Sequence, residues 1–132
     1  MLKILVSGAT GRVGREIRRL AEQEGLAEIA GRASRERFFA TEAAGDVLID
    51  FSRPELTDRA LAFAAQHEIP MVIGTTGLDD GVQDRIDQAA SSIAICQAAN
   101  FSIGINLLLD LVGRTAAGLP ATFDVEISEI HH

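Results

Sequence analysis

The stretch Leu2-Lys3-Ile4-Leu5-Val6-Ser7-Gly8-Ala9-Thr10-Gly11-Arg12-Val13-Gly14 decides the fold. Its first six residues are a short run rich in apolar side chains, which predicts a strand. From Arg12 to Glu24 the spacing changes. Val13, Ile17, Leu20 and Ala21 fall on one stripe at i, i+4, i+7 and i+8, the period of an amphipathic helix, and Gly25 suits its C-terminal cap. Between the two lies G-x-x-G-x-x-G over residues 8–14. Glycines at such a junction let the backbone turn tightly, approach a pyrophosphate closely and seat the helix on the sheet. The helix N-terminus, with unpaired N–H groups and the positive end of the dipole, then favours an anion. On its own the glycine pattern is a weak signal. Its place between strand and helix makes it a candidate dinucleotide site.

Outward from this unit the alternation continues. Ala27–Ala33, Asp46–Phe51, Met71–Thr75 and Ser92–Gln97 read as further strands. Pro54 suits the first turn of a helix that runs to Glu68 and buries Leu56, Ala60, Phe63 and Ala64. Asp79 or Asp80 can cap a third helix containing Val82, Ile86 and Ala89. Strand–helix alternation of this kind implies a parallel sheet with helices on both faces, a Rossmann-type α/β domain over residues 1–99. Near-continuous apolar strands such as Val47-Leu48-Ile49 fit burial on both sides. After residue 99 the pattern changes. Ile103–Ala117 predicts a longer helix, and Phe123–Glu129 alternates strictly, as a strand with one buried face does. Residues 100–132 therefore read as the start of a second, different unit that these residues alone cannot complete. Neither an internal repeat nor a low-complexity segment is present.

Composition narrows the function classes. The chain is 132 residues long, 47% hydrophobic and 23% charged, enough for one domain with a core and too short for two full ones. No apolar run approaches the ~18–20 residues that span a bilayer, and the N-terminus enters a strand pattern without the features of a signal peptide. A net charge of −7 argues against general nucleic-acid binding. Seven of the twelve basic residues nevertheless lie between positions 12 and 37, namely Arg12, Arg15, Arg18, Arg19, Arg32, Arg35 and Arg37. Arg18 and Arg19 read as a solvated helix face; Arg12 and Arg35 are placed for an anion site. The single cysteine, Cys96, cannot form an internal disulfide, so a reducing cytoplasm is the default. Its apolar run Ile93-Ala94-Ile95-Cys96 predicts a buried small hydrophobe rather than a reactive thiol. His67 sits near the end of the Pro54–Glu68 helix, where a cation meets the negative end of the dipole. No Cys/His cluster has metal-ligand spacing, so no metal is expected.

The strand ends carry the remaining chemistry. An acidic residue at the end of the second strand favours NAD by binding the ribose. Here that strand ends Gly31-Arg32-Ala33-Ser34-Arg35, with a hydroxyl and a guanidinium in place of the carboxylate. Arg35 can pair with a ribose 2′-phosphate and Ser34 can donate to it, so NADPH is expected to bind at least as well as NADH. The alternative is two solvent-exposed loop residues. Phe51-Ser52-Arg53-Pro54, Gly74-Thr75-Thr76-Gly77 and Ala98-Ala99-Asn100-Phe101-Ser102 all follow strands. Ligands of open parallel sheets bind beyond the carboxyl ends of the strands. Singly these are ordinary turns; together they outline one cleft.

These segments, in this order, resemble the 4-hydroxy-tetrahydrodipicolinate reductase (dihydrodipicolinate reductase) family of bacterial lysine and diaminopimelate synthesis. The resemblance is carried by the glycine loop at 8–14, Asp46–Glu55, Val72–Gly77, Ala98–Ser102 and Glu129-Ile130-His131-His132. It implies cofactor contacts from Gly8, Ala9, Thr10, Gly11, Arg12 and Val13, from Ser34 and Arg35, from Gly74, Thr75 and Thr76, and from Ala98, Ala99, Asn100 and Phe101. It also implies that His131 is the catalytic proton donor or acceptor and that His132 touches a small dicarboxylate substrate. Residues 100–132 would begin an α+β substrate-binding and tetramerisation domain, and the enzyme would be a homotetramer without membrane or nucleic-acid partners. Two departures stand out. The segment between Arg35 and Asp46 is shorter than in many relatives, which reduces or removes a peripheral strand. The lysine and Pro-Ser-Gly-Thr loop that follow the paired histidines in the family lie past His132, so these residues alone are expected to lack turnover. Two terminal histidines can also come from a tag, although Asp124–Ile130 before them matches the family. A non-catalytic redox-sensing module would need no acid at the cleft mouth, and Glu129–His132 counts against it. A short-chain dehydrogenase would need a Tyr-x-x-x-Lys pair, and the chain has no tyrosine.

Overall fold

The computed structural model describes residues 1–40, 42–128 and 130, and the chain divides into two units, Met1–Ala99 and Asn100–His132. The first contains β1 (Leu2–Ser7), α1 (Arg12–Glu24), β2 (Ala27–Ala33), β3 (Val47–Asp50), α2 (Pro54–Gln66), β4 (Met71–Ile73), α3 (Asp80–Ala89) and β5 (Ile95–Gln97). All five strands are parallel, in the order β2-β1-β3-β4-β5. The chain leaves β1 toward one edge to form β2, then returns across β1 to build β3, β4 and β5 on the other side. The connections that leave β1 and β3 run to opposite edges of the sheet from the β1–β3 boundary, the switch point where open sheets of this type leave a crevice.

The strand period of two distributes the core over both faces. Leu5, Leu48, Met71 and Ile73 point to one side and pack with Ala60, Leu61 and Ala64 of α2 and Val82 and Ile86 of α3. Ile4 and Val6 point to the other and join Ile29 and Ile49 under Ile17 of α1. Helices thus cover both faces, as the alternation requires.

Local chemistry sets the element ends. Gly25 closes α1 in the left-handed region at φ 61°. Pro54 opens α2, and His67 caps its end with its ring 4.3 Å from that of Phe63. Asp79 caps α3, its carboxylate accepting from the Val82 N–H at 2.8 Å.

Several expectations are corrected. β4 stops at Ile73: the Gly74 N–H makes the last ladder bond, to the Asp50 carbonyl at 2.8 Å, and Thr75 then turns its hydroxyl to the Asp50 carboxylate at 2.7 Å. β5 starts only at Ile95, since the Ser92 and Ile93 N–H groups are engaged by the Ala89 carbonyl at the end of α3. Cys96 is exposed rather than buried. It lies on the edge strand, on the face opposite that of Ile95, which packs on the core. Arg19 pairs in solvent with Glu16 at 2.8 Å, but Arg18 departs from a solvated face: its Nε is buried without a hydrogen-bond partner among the described residues. Among the described residues, 34–46 contain neither strand nor helix.

The second unit holds α4 (Ile103–Gly118). Ser102 caps it by accepting from the Ile105 N–H at 3.4 Å, and Asn100 Oδ1 accepts from the Ser102 N–H at 2.7 Å. No residue of α4 is buried. The strand expected over 123–129 is absent from its described residues, 123–128. An alternating segment becomes a strand only when another strand supplies its hydrogen bonds, and none of the described residues does so; Phe123, Val125 and Ile127 are exposed.

Candidate functional site

At the carboxyl end of β1 the backbone turns at Gly8, whose φ of +80° lies in the left-handed region. A Cβ there would overlap the Phe51 carbonyl oxygen and sit 2.7 Å from its carbon, so only glycine allows the ends of β1 and β3 to approach this closely. Gly8 and Ala9 N–H both donate to the Ala33 carbonyl at 3.0 Å, fastening the loop to the end of β2. Gly14, in the first turn of α1, is buried against the Gly8 carbonyl, where a Cβ would stand 2.8 Å from Ala9 Cα. Gly11 precedes α1 with no side chain to cap it, so the first N–H groups of the helix keep their capacity for an external anion.

A cavity of about 620 Å³ opens in front of this loop, within the usual range for a small-molecule site. Gly8, Thr10 and Gly11 form its β1 side, Ser34 and Arg35 its β2 side, and Phe51–Leu56 with Arg59 its β3–α2 side. Three guanidinium groups, Arg35, Arg53 and Arg59, line it with one carboxylate, Glu55. Among the described residues none of the three forms an ion pair. An uncapped helix start, a cradle that a Cβ would fill and an excess of positive charge in an otherwise acidic chain fit the phosphates of a dinucleotide.

Behind the cavity lies a fully buried carboxylate, Asp50, the last residue of β3. It accepts from Ser52 Oγ at 2.5 Å, Thr57 Oγ1 at 2.6 Å and Thr75 Oγ1 at 2.7 Å. Thr75 Oγ1 in turn accepts from the Ser52 N–H at 2.7 Å. One acceptor therefore ties the exit of β3, the first turn of α2 and the exit of β4 together. Full hydrogen bonding is what allows a charge to stay buried without a cation. Phe51 lies over Gly74, where an added Cβ would run into its ring.

Comparison with known proteins places this arrangement. Residues 2–101 match the model described as "Dihydrodipicolinate reductase, N-terminus". The chain belongs to the dihydrodipicolinate reductase family. It is 40% identical over 141 residues to the 4-hydroxy-tetrahydrodipicolinate reductase of Caulobacter vibrioides, covering 99% of this chain and 55% of that protein. With the Xanthomonas euvesicatoria pv. vesicatoria protein of the same name it shares 39% over 146 residues, covering 99% and 61%. The chain thus spans less than two thirds of the length of these relatives. Its fold is similar to that of a solved structure described as "Dipicolinate bound Dihydrodipicolinate reductase from Paenisporosarcina sp. TG-14", with a TM-score of 0.70 at 20% identity over 89% of this chain and 54% of that one.

Of the residues expected to hold cofactor in this family, Gly8, Thr10, Gly11, Ser34 and Arg35 converge on one cavity. Ala9 is buried behind the loop, while Arg12 and Val13 are exposed on the first turn of α1 and do not line the cavity. Gly74, Thr75, Thr76, Ala98 and Ala99 follow β4 and β5, at the same carboxyl edge of the sheet but away from the cavity lining. Asn100 and Phe101 belong to the second unit. His131 and His132 lie outside the described residues. Sequence reasoning placed Phe51–Pro54 at the cleft but missed Arg59 and the role of Asp50. An acidic residue ending an apolar strand, with hydroxyls two and seven residues on, was the available signal for Asp50. Arg59 had none beyond its helical spacing from Glu55. Among the described residues no His, Cys, Asp or Glu cluster could hold a metal, and no helix is long and apolar enough to cross a membrane.

Proposed function

We propose that this chain is the cofactor-holding part of a reductase that converts 4-hydroxy-tetrahydrodipicolinate to tetrahydrodipicolinate in lysine and diaminopimelate synthesis. The observation that carries the reading is the cavity at the β1–β3 switch point, with its glycine cradle and guanidinium groups, in a chain of this family. Residues 1–99 form the dinucleotide-binding domain and 100–132 begin the substrate domain. NADPH or NADH, when bound, supplies hydride from its nicotinamide ring.

This chain's residues bind and orient. The loop from Gly8 to Val13 receives the pyrophosphate at the start of α1; Ser34 and Arg35 receive a 2′-phosphate, which favours NADPH or makes it equal to NADH. Gly74 and Thr75, held by their bonds to Asp50, and Thr76, together with Ala98, Ala99, Asn100 and Phe101, position the nicotinamide end. His131 holds the proton required by the basic atom that reduction leaves on the substrate, and His132 meets a substrate carboxylate. The enzyme is cytoplasmic, in keeping with a lone cysteine, and assembles as a homotetramer.

Calorimetric titration with NADPH and NADH tests the cofactor reading. At Gly11 an added Cβ meets only the Gly8 carbonyl oxygen, at 3.2 Å, so a bulky residue there obstructs the loop with little effect on the core. Gly11→Leu is expected to abolish binding while circular dichroism is unchanged; full affinity in the folded variant refutes the site. In the full-length enzyme, His131→Gln should lower kcat by ~10²–10⁴-fold with cofactor affinity retained, whereas His132→Gln raises KM more than it lowers kcat. Near-normal kcat in the His131 variant would assign the proton to another donor.

A further inference from the structure

The helix α2 contributes a group to the cavity that neither the glycine loop nor the strand ends account for. Glu55 and Arg59 stand four residues apart on one face and both line the cavity, while Thr57 and Ala60 turn inward and are buried. The Arg59 guanidinium carbon lies 4.4 Å from the centroid of the Phe38 ring. That ring is itself anchored, 5.1 Å from Phe39 and 6.0 Å from Phe63 of α2. Phe38 belongs to the segment that leaves β2, four residues past Ser34, whose N–H closes a turn by donating to the Arg37 carbonyl at 2.7 Å. The Phe38–Arg59 contact therefore joins α2 to the same segment that presents Ser34 and Arg35. Arg59 thus lines the cavity from α2 while its guanidinium is held by the segment that presents Ser34 and Arg35.

We infer that Arg59, seated on Phe38, is a second specificity-determining guanidinium for a phosphate monoester on the adenosine ribose, acting with Arg35 to select NADPH over NADH. This rests on the cofactor reading above and deepens it. A guanidinium laid over an aromatic ring keeps its in-plane N–H donors free at the edge, where they match phosphate oxygens in pairs. Among the described residues no carboxylate pairs with Arg59 or Arg35, so neither must give up a partner to meet an anion. Phe38 is a positioning residue: it touches the guanidinium rather than the ligand.

The test is calorimetric affinity for NADPH and NADH, measured on the protein and on Arg59→Gln, Arg59→Lys and Phe38→Leu. Arg59→Gln should weaken NADPH about tenfold, the scale of one charge-assisted hydrogen bond, and leave NADH within about twofold. Arg59→Lys should recover part of the loss, because charge returns without the planar fork. Phe38→Leu keeps apolar packing but removes the ring face, and should shift selectivity in the same direction as Arg59→Gln by a smaller factor. Equal losses for both nucleotides, or unchanged affinities in the Arg59 variants, overturn the inference while leaving the cofactor site standing. Failure of the unaltered protein to bind either nucleotide overturns the cofactor reading itself.

Discussion

Replacing Asp50 with alanine removes one acceptor from three hydroxyl groups at once. The carboxylate has no solvent exposure and accepts at 2.5, 2.6 and 2.7 Å from Ser52, Thr57 and Thr75. Each hydrogen bond to a charged group contributes ~1.5–3 kcal/mol, and each buried hydroxyl left unpaired costs ~1–3 kcal/mol. Two of the three can turn elsewhere. Ser52 Oγ lies 3.4 Å from the Arg53 carbonyl oxygen, and Thr57 can bond back to the same carbonyl, four residues earlier at the N-cap of α2. Thr75 has no such exit: it is 7% exposed and its Oγ1 is committed as acceptor to the Ser52 N–H. Loss of a buried charge relieves its desolvation, which offsets part of the damage. The net cost of Asp50→Ala comes to about 3 kcal/mol. Asp50→Asn keeps the shape and one acceptor oxygen and should cost about 1 kcal/mol. Urea unfolding followed by circular dichroism reads the difference directly, as a fall of roughly 2 M in midpoint for alanine at constant m. A loss under about 1 kcal/mol for alanine, or an asparagine variant as damaged as alanine, would show that Asp50 does not hold these strand ends together.

Three further outcomes follow from the same geometry. Gly8→Ala forces a side chain into the left-handed region and onto the Phe51 carbonyl, so it should destabilise by more than ~2 kcal/mol in thermal or urea unfolding; a wild-type melt would contradict the close approach of β1 and β3. Arg35→Ala should raise the NADPH dissociation constant tenfold or more, on the order of one charge-assisted hydrogen bond, and leave NADH nearly unchanged in calorimetry. Equal effects on both would mean that Arg35 does not read the 2′-phosphate. Asp79→Ala removes the cap of α3 and should cost ~1 kcal/mol in urea without altering cofactor affinity; an unchanged midpoint would show that the helix start is held by packing alone.

The sequence by itself determined the local elements and the address of the cofactor loop. α1 begins at Arg12 and ends at Glu24, and α3 starts behind Asp79, where spacing and caps put them. These signals act within one or two turns of chain, so a reader of the linear sequence holds all the residues concerned. The glycine loop was legible for the same reason, and Ser34 and Arg35 followed from counting to the end of the next strand. What tertiary structure alone decided is which distant groups share a space. Nothing near Arg59 announces Phe38, 21 residues away, and nothing near Asp50 announces that Thr75, 25 residues on, completes its hydrogen bonds. Cys96 has the neighbours of a core residue in the chain, yet it is exposed because it lies on the face of the edge strand β5 opposite Ile95, the residue that packs on the core. Phe123–Glu129 has the period of a strand, but a period is only half of a strand and the pairing partner is the other half. Burial, long-range hydrogen bonds and strand pairing are properties of the packed sheet, because each depends on a second segment whose position is set by the fold and not by the spacing of residues along the chain.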